Sequence, residues 1–102
     1  MTIGYVRCAL KSESQIESQV AKIQQHCKYM GYGDCTIIMD NGVSGNTLER
    51  DGLELLFELV TARPNINRIV VVSLSALSRS MAAYDKMVTL FGQAGISIEF
   101  IE

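Results

Sequence analysis

Short apolar runs alternate with amphipathic segments along this chain, and that alternation restricts the folds open to it. Ile3–Cys8 is an apolar run that ends abruptly, as a strand does. Behind it, Ile16, Val20, Ile23, Cys27 and Met30 recur at helical spacing until Gly31, with Ser14-x-x-Glu17 as a capping box at the start. Cys35–Met39 reads as a second strand, unbroken and rich in isoleucine, as a strand buried on both faces would be. Leu53, Leu56, Leu59 and Val60 then mark one face of a helix that stops near Pro64. Ile69–Ser73 is a third strand. Ser80–Ala94 is a third helix with Met87, Val88, Phe91 and Ala94 inward, and Gly95 closes it before the last strand, Ile96–Ile101. Strands that alternate with helices in this way imply right-handed crossovers. The expected fold is α/β, a three-layer sandwich around a mainly parallel four-stranded sheet.

The chain has 102 residues, one domain's worth, and no linker or repeat divides it. Apolar runs such as Ile69–Val72 fall far short of the ~20 residues a membrane span needs. The N-terminus lacks the pattern of a signal peptide, so the expected location is the cytoplasm, with no membrane partner. Nine Lys+Arg against 11 Asp+Glu give a net charge of −2. A domain that held DNA by bulk charge alone would be basic. Any nucleic-acid role therefore rests on a few placed cations or on a second domain. Cys8, Cys27 and Cys35 are widely spaced and His26 is the only histidine, so neither a metal site nor a cofactor is expected. The cysteines read as small core residues and His26 as a surface residue.

In an open parallel sheet, ligands bind beyond the carboxyl ends of the strands. Here those ends are Arg7–Ser14, Asp40–Arg50 and Leu74–Ser80, which hold four of the nine basic residues: Arg7, Lys11, Arg50 and Arg79. Asp40–Arg50 is long for a connection and carries Gly42 and Gly45, which marks it as a working loop. Converging arginines would make an anion site, unless they are solvated or paired with Asp40, Glu49 and Asp51. Several phosphate chemistries fail on spacing. Arg7-Cys8-Ala9 stands where a phosphate-accepting receiver needs acidic residues, and Ser14 stands where a Cys-x5-Arg phosphatase loop needs its arginine. Gly-rich nucleotide loops are absent.

These three segments resemble the resolvase/invertase serine recombinases. Gly4-Tyr5-Val6-Arg7 followed by Gln19 is similar to the family's opening, and Asp40-Asn-Gly-Val-Ser44-Gly45 with Arg50-Asp-Gly52-Leu53 to its active-site loop. Leu74-Ser-Ala-Leu77-Ser78-Arg79 resembles the segment after the third strand, and Gly95-Ile-Ser-Ile-Glu-Phe-Ile the next strand. The resemblance implies a resolvase-like catalytic domain over 1–102, DNA as the partner, and strand cleavage through a phosphoserine link. It also implies dimers and tetramers held by a helix beyond this segment, and a separate DNA-reading helix-turn-helix domain that these residues do not include.

The same resemblance exposes a gap. The nucleophile position, two residues after the arginine, is Ala9, and the family's Leu-Asp-Arg-Leu run reads Leu74-Ser75-Ala76-Leu77. Arg7, Gln19, Arg50 and Arg79 still match, as do Asp40, Ser44 and Gly45 of the loop. The expectation is a remnant phosphate site without cleavage chemistry. Cys8 should face away from Arg7 along the strand. Ser14 reads as a cap, Ser12 lies further along, and Ser44 and Ser78 match positions other than the nucleophile. The alternatives on the same fold are a non-catalytic interaction module that pairs with itself or with a recombinase, and a small-anion binder using Arg7, Arg50 and Arg79.

Overall fold

The computed structural model describes residues 1–42, 51–62 and 65–102. Ser44, Gly45, Arg50 and the expected helix stop at Pro64 lie outside them. The elements run β1 (Thr2–Cys8), α1 (Glu13–Met30), β2 (Cys35–Asn41), α2 (Asp51–Ala62), β3 (Arg68–Val71), α3 (Leu74–Leu77), α4 (Met81–Gln93) and β4 (Ser97–Phe100). All strand pairings are parallel, in the order β2-β1-β3-β4.

Two apolar clusters show the layers. Ile3 and Tyr5 of β1 face Leu53 and Leu56 of α2, Leu77 of α3 and Met87 and Phe91 of α4. Val6 and Cys8 face Ile16, Ile23 and Cys27 of α1 on the other side. Strand alternation sorts the residues, odd positions to one face and even positions to the other. Every residue of β1 is buried, so β1, like its neighbour β3, is a central strand covered on both faces. The expectation that β2 would hold that place is overturned. As an edge strand, β2 buries only Ile38 and Asp40, and Met39 is half exposed. Its isoleucines suit a pleated surface, and composition does not distinguish an edge from a centre.

Local chemistry sets the helix ends. Ser12, not Ser14, caps α1, and its hydroxyl accepts from the Gln15 N–H. The Ser12 N–H is in turn held by Asn41 Oδ1 at 2.9 Å, which ties the β1–α1 turn to the end of β2. Gly31 ends α1 with φ 74°, a left-handed cap that favours glycine. In α4, Val88 is exposed, as is Ala94 just past its end, and Ala83 joins Met87 and Phe91 inside, so the inner face is rotated slightly from the expected one.

One carboxylate pins the start of α2. Asp40, at the end of β2, is buried and accepts the Gly52 N–H at 2.7 Å, the Leu53 N–H at 3.1 Å and the Tyr5 hydroxyl at 2.6 Å. A negative group at a helix N-terminus satisfies amides that the helix itself cannot. Position 52 must be glycine here. A Cβ would lie 2.7 Å from the Met39 carbonyl and 2.9 Å from the Asp40 carboxylate.

The far end of α1 is tied to β3 and β4 through Glu99. Its carboxylate accepts from Tyr32 at 2.8 Å, meets His26 Nε2 at 2.9 Å and lies 3.6 Å from Arg68 Nε. The Arg68 guanidinium also covers the Tyr32 ring at 3.7 Å. His26 is thus half-buried and partnered, where the sequence suggested a surface residue.

Two outcomes follow from these ties. Tyr5→Phe removes one of three donors to Asp40 and should cost about 1–2 kcal/mol, while Asp40→Ala strands all three and should cost about 3 kcal/mol or more. Urea denaturation checks the order, and equal costs would contradict it. Burial alone would raise the Glu99 carboxyl, but bonds from Tyr32 and His26, with the His26 and Arg68 charges, bring it below its ordinary range. A carboxyl lowered on folding stabilises fully above its unfolded pKa and loses that contribution as pH falls through the folded value. Glu99→Gln should therefore show a shallower loss of stability on acidification below about pH 5 than the parent chain. Parallel acid-unfolding curves would refute this.

Candidate phosphate-binding site

The β1–β3 ladder runs from Thr2↔Arg68 to Gly4↔Val70, whereas β1 pairs with β2 as far as Cys8↔Asn41. Beyond Gly4 the two central strands part. The chain leaves β1 toward β2 and later returns on the other side as β3, so this opening is the topological switch point of the sheet. A cleft of about 180 Å³ occupies it, lined by Arg7, Cys8, Ala9, Gln15, Gln19, Val72, Ser73, Ser75, Ala76 and Arg79.

Arg7 is 4% exposed, and its side chain donates to the Ala76 carbonyl from Nε at 3.0 Å and to the Ser75 carbonyl from Nη2 at 2.5 Å. Both acceptors belong to α3, a single turn that the sequence reading had not separated from the segment after β3. Ser73 caps that turn, its hydroxyl accepting the Ala76 N–H at 3.4 Å and lying 3.1 Å from the Ser75 hydroxyl. A serine just ahead of Leu74-x-x-Leu77 was the signal for the turn. Of the polar groups lining this cleft, the Ser73 hydroxyl and Gln15 are the ones the sequence did not reveal.

Gln19 reaches the backbone of Arg7. Its Oε1 accepts the Arg7 N–H at 3.4 Å and its Nε2 donates to the Arg7 carbonyl at 3.0 Å. One turn earlier, Gln15 accepts from the Cys8 thiol at 2.9 Å. Cys8 is buried on the α1 side and also touches the cleft. Arg79 differs from these. It is exposed at the cleft, and no hydrogen bond joins it to another described residue. Ala9 is half-buried in the same wall and presents a methyl group.

The structure therefore gathers Arg7, Ala9, Gln19 and Arg79 in one cleft, and places Asp40 apart from them as the clamp on α2. Ser12 serves as a cap, and Ser78 is buried in a turn with Ser80. A larger cleft, about 640 Å³, lies at the other end of α1, lined by Gln24, Lys28, Gly31, Gly33, Asp34 and Cys35. Burial, then the neighbouring Cys27 thiol, push Cys35 up to about 12, so it is a neutral thiol at pH 7. That larger cleft has volume without converging charge. Among the described residues no three His, Cys, Asp or Glu side chains group as a metal site would need, and no helix is long and apolar enough to cross a membrane.

Comparison with solved structures returns the same architecture. The N-terminal catalytic domain of TP901-1 integrase superposes with a TM-score of 0.91 at 22% identity, over 98% of this chain and 76% of that one. The C-terminal catalytic domain of ISC1926 TnpA, an IS607-like serine recombinase, gives 0.84 at 24% identity over 99% and 67%. A resolvase family site-specific recombinase from Streptococcus pneumoniae gives 0.81 at 15% identity over 98% and 70%. Among curated protein sequences none matches. The family model described as the resolvase N-terminal domain matches residues 2–102, and the chain belongs to that family of recombinase domains.

Proposed function

We propose that this domain engages the DNA backbone at the switch-point cleft and does not cut it. The observation that carries the reading is the composition of the cleft wall. A buried arginine is fixed on the α3 carbonyls and a second arginine stands exposed beside it, while the residue two places after Arg7 is an alanine. Position 9 lies just past the end of β1 and lines the same cleft as Arg7 and Arg79, so a hydroxyl there would face a phosphate held in it. A methyl group has no oxygen to attack with.

Arg79 is the contact to a phosphodiester in this reading, since a guanidinium presents paired donors to phosphate oxygens. Arg7 holds the wall against which the phosphate sits. Gln19 belongs to the site through Arg7. Arg50, Ser44 and Gly45 enter by the family resemblance, with Asp40 anchoring the stem of their segment. DNA and a second recombinase subunit, of the same or another kind, are the partners. The cleft would take one phosphate group, so a small anion is the competing ligand, and length dependence separates the two.

Binding to short duplex DNA at low salt should weaken about fivefold to tenfold in Arg79→Ala, with the log–log salt slope reduced by about one. Its unfolding free energy should stay within about 0.5 kcal/mol, as for an exposed side chain. Affinity that is insensitive to DNA length and matched by inorganic phosphate would favour the small-anion ligand. Incubation with supercoiled DNA should leave no protein–DNA adduct that survives denaturation. Ala9→Ser alone should also fail to nick, because Ser75 and Ala76 supply neither a carboxylate nor a guanidinium to the transition state. Robust nicking by that variant would overturn the account of the lost chemistry.

A further inference from the structure

The hydrogen bonds of Gln19 have a geometric meaning that the cleft alone does not convey. In a strand, the N–H and C=O of one residue point to the same neighbour, and successive residues alternate between neighbours. The Cys8 carbonyl accepts the Gly42 N–H at 2.7 Å, on the β2 side. The Arg7 N–H and carbonyl therefore point the other way, toward β3. The β1–β3 ladder has already stopped at Gly4↔Val70, so no β3 residue stands there. Both groups sit on a strand buried along its whole length, where an unpaired peptide group costs free energy. The Gln19 carboxamide offers one acceptor and two donors in a plane, like a peptide, and it satisfies both.

We infer that Gln19 is a positioning residue that stands in for the missing β3 neighbour. It lets the two central strands part without leaving a buried peptide unpaired, and so keeps the switch-point cleft open with Arg7 in place to hold α3. Gln19 acts on the ligand through Arg7 and α3, and the part of this role that concerns ligand binding rests on the DNA reading above. The carboxamide reaches the strand from α1, so a single side chain couples the α1 layer to the α3 wall on the opposite side of the sheet.

Two measurements on the 102-residue chain test this. The first is amide hydrogen exchange resolved by residue. In Gln19→Met, which keeps the side-chain length and loses the amide, the Arg7 N–H should exchange about tenfold faster or more. The Val6 and Cys8 N–H groups, which face β2, should keep their protection. In Gln19→Glu the acceptor for the Arg7 N–H survives, so Arg7 protection should fall less than in Gln19→Met. The second is affinity for a short DNA duplex, which should drop about tenfold in Gln19→Met. Unchanged exchange at Arg7, or equal acceleration at every core amide, would overturn the inference. Selective loss at Arg7 with unaltered DNA affinity would overturn the link from Gln19 to the ligand. A parent chain that binds no DNA sinks the DNA reading alone, and the exchange result still decides what Gln19 does.

Discussion

A guanidinium buried in a protein interior must find acceptors, and Arg7 finds them in the carbonyls of Ser75 and Ala76. That pairing decides where α3 lies. It draws the single turn after β3 against the end of β1, which fixes the cleft wall and sets the point from which Arg79 emerges. Gln19 secures the same residue from the other layer by its backbone. The cleft is thus built around a buried arginine, with Arg79 exposed in the same lining. Asp40 does comparable work one strand away, holding the start of α2 and the Tyr5 hydroxyl together.

The order of elements was legible because helix and strand periods differ, and the switch point followed from topology. What sequence could not give was which strand would be central. Cys35–Met39 is more uniformly apolar than its edge position requires, while β1 carries a glycine and an arginine and is fully buried. Arg7 defeats a hydrophobicity reading because its charge is compensated by carbonyls that lie 68 and 69 residues away. Such partners are invisible to local pattern. The partner that half-buries His26, Glu99, is likewise 73 residues distant.

At the cleft, the structure separates tasks that the family resemblance leaves together. Arg7, Gln19, Asp40 and Arg79 all match family positions, yet three of them make hydrogen bonds on which the fold depends. Gln19 does so through a peptide left unpaired by strand parting, Asp40 through a helix start, and Arg7 through a turn. No motif distinguishes a catalytic arginine from one that braces a loop. Distances do.

This division bears on which family-like residues the fold itself requires. Arg7, Gln19 and Asp40 cannot be replaced without leaving buried groups unpaired, so stability alone retains them. Ala9 and Ser75 sit partly or wholly in solvent, and no side chain depends on either for the packing of the core. Ala76 packs as a small residue within the larger cluster, where its methyl group is buried. The fold accommodates small residues at all three positions. Family-like residues at Arg7, Gln19 and Asp40 are therefore no argument for function, because folding explains them. Arg79 is the exception. It is exposed, lines the cleft and is joined by no hydrogen bond to another described residue, so no contact among the described residues accounts for it. In the reading proposed above, Arg79 is therefore the residue that an incoming phosphate would meet at the switch point.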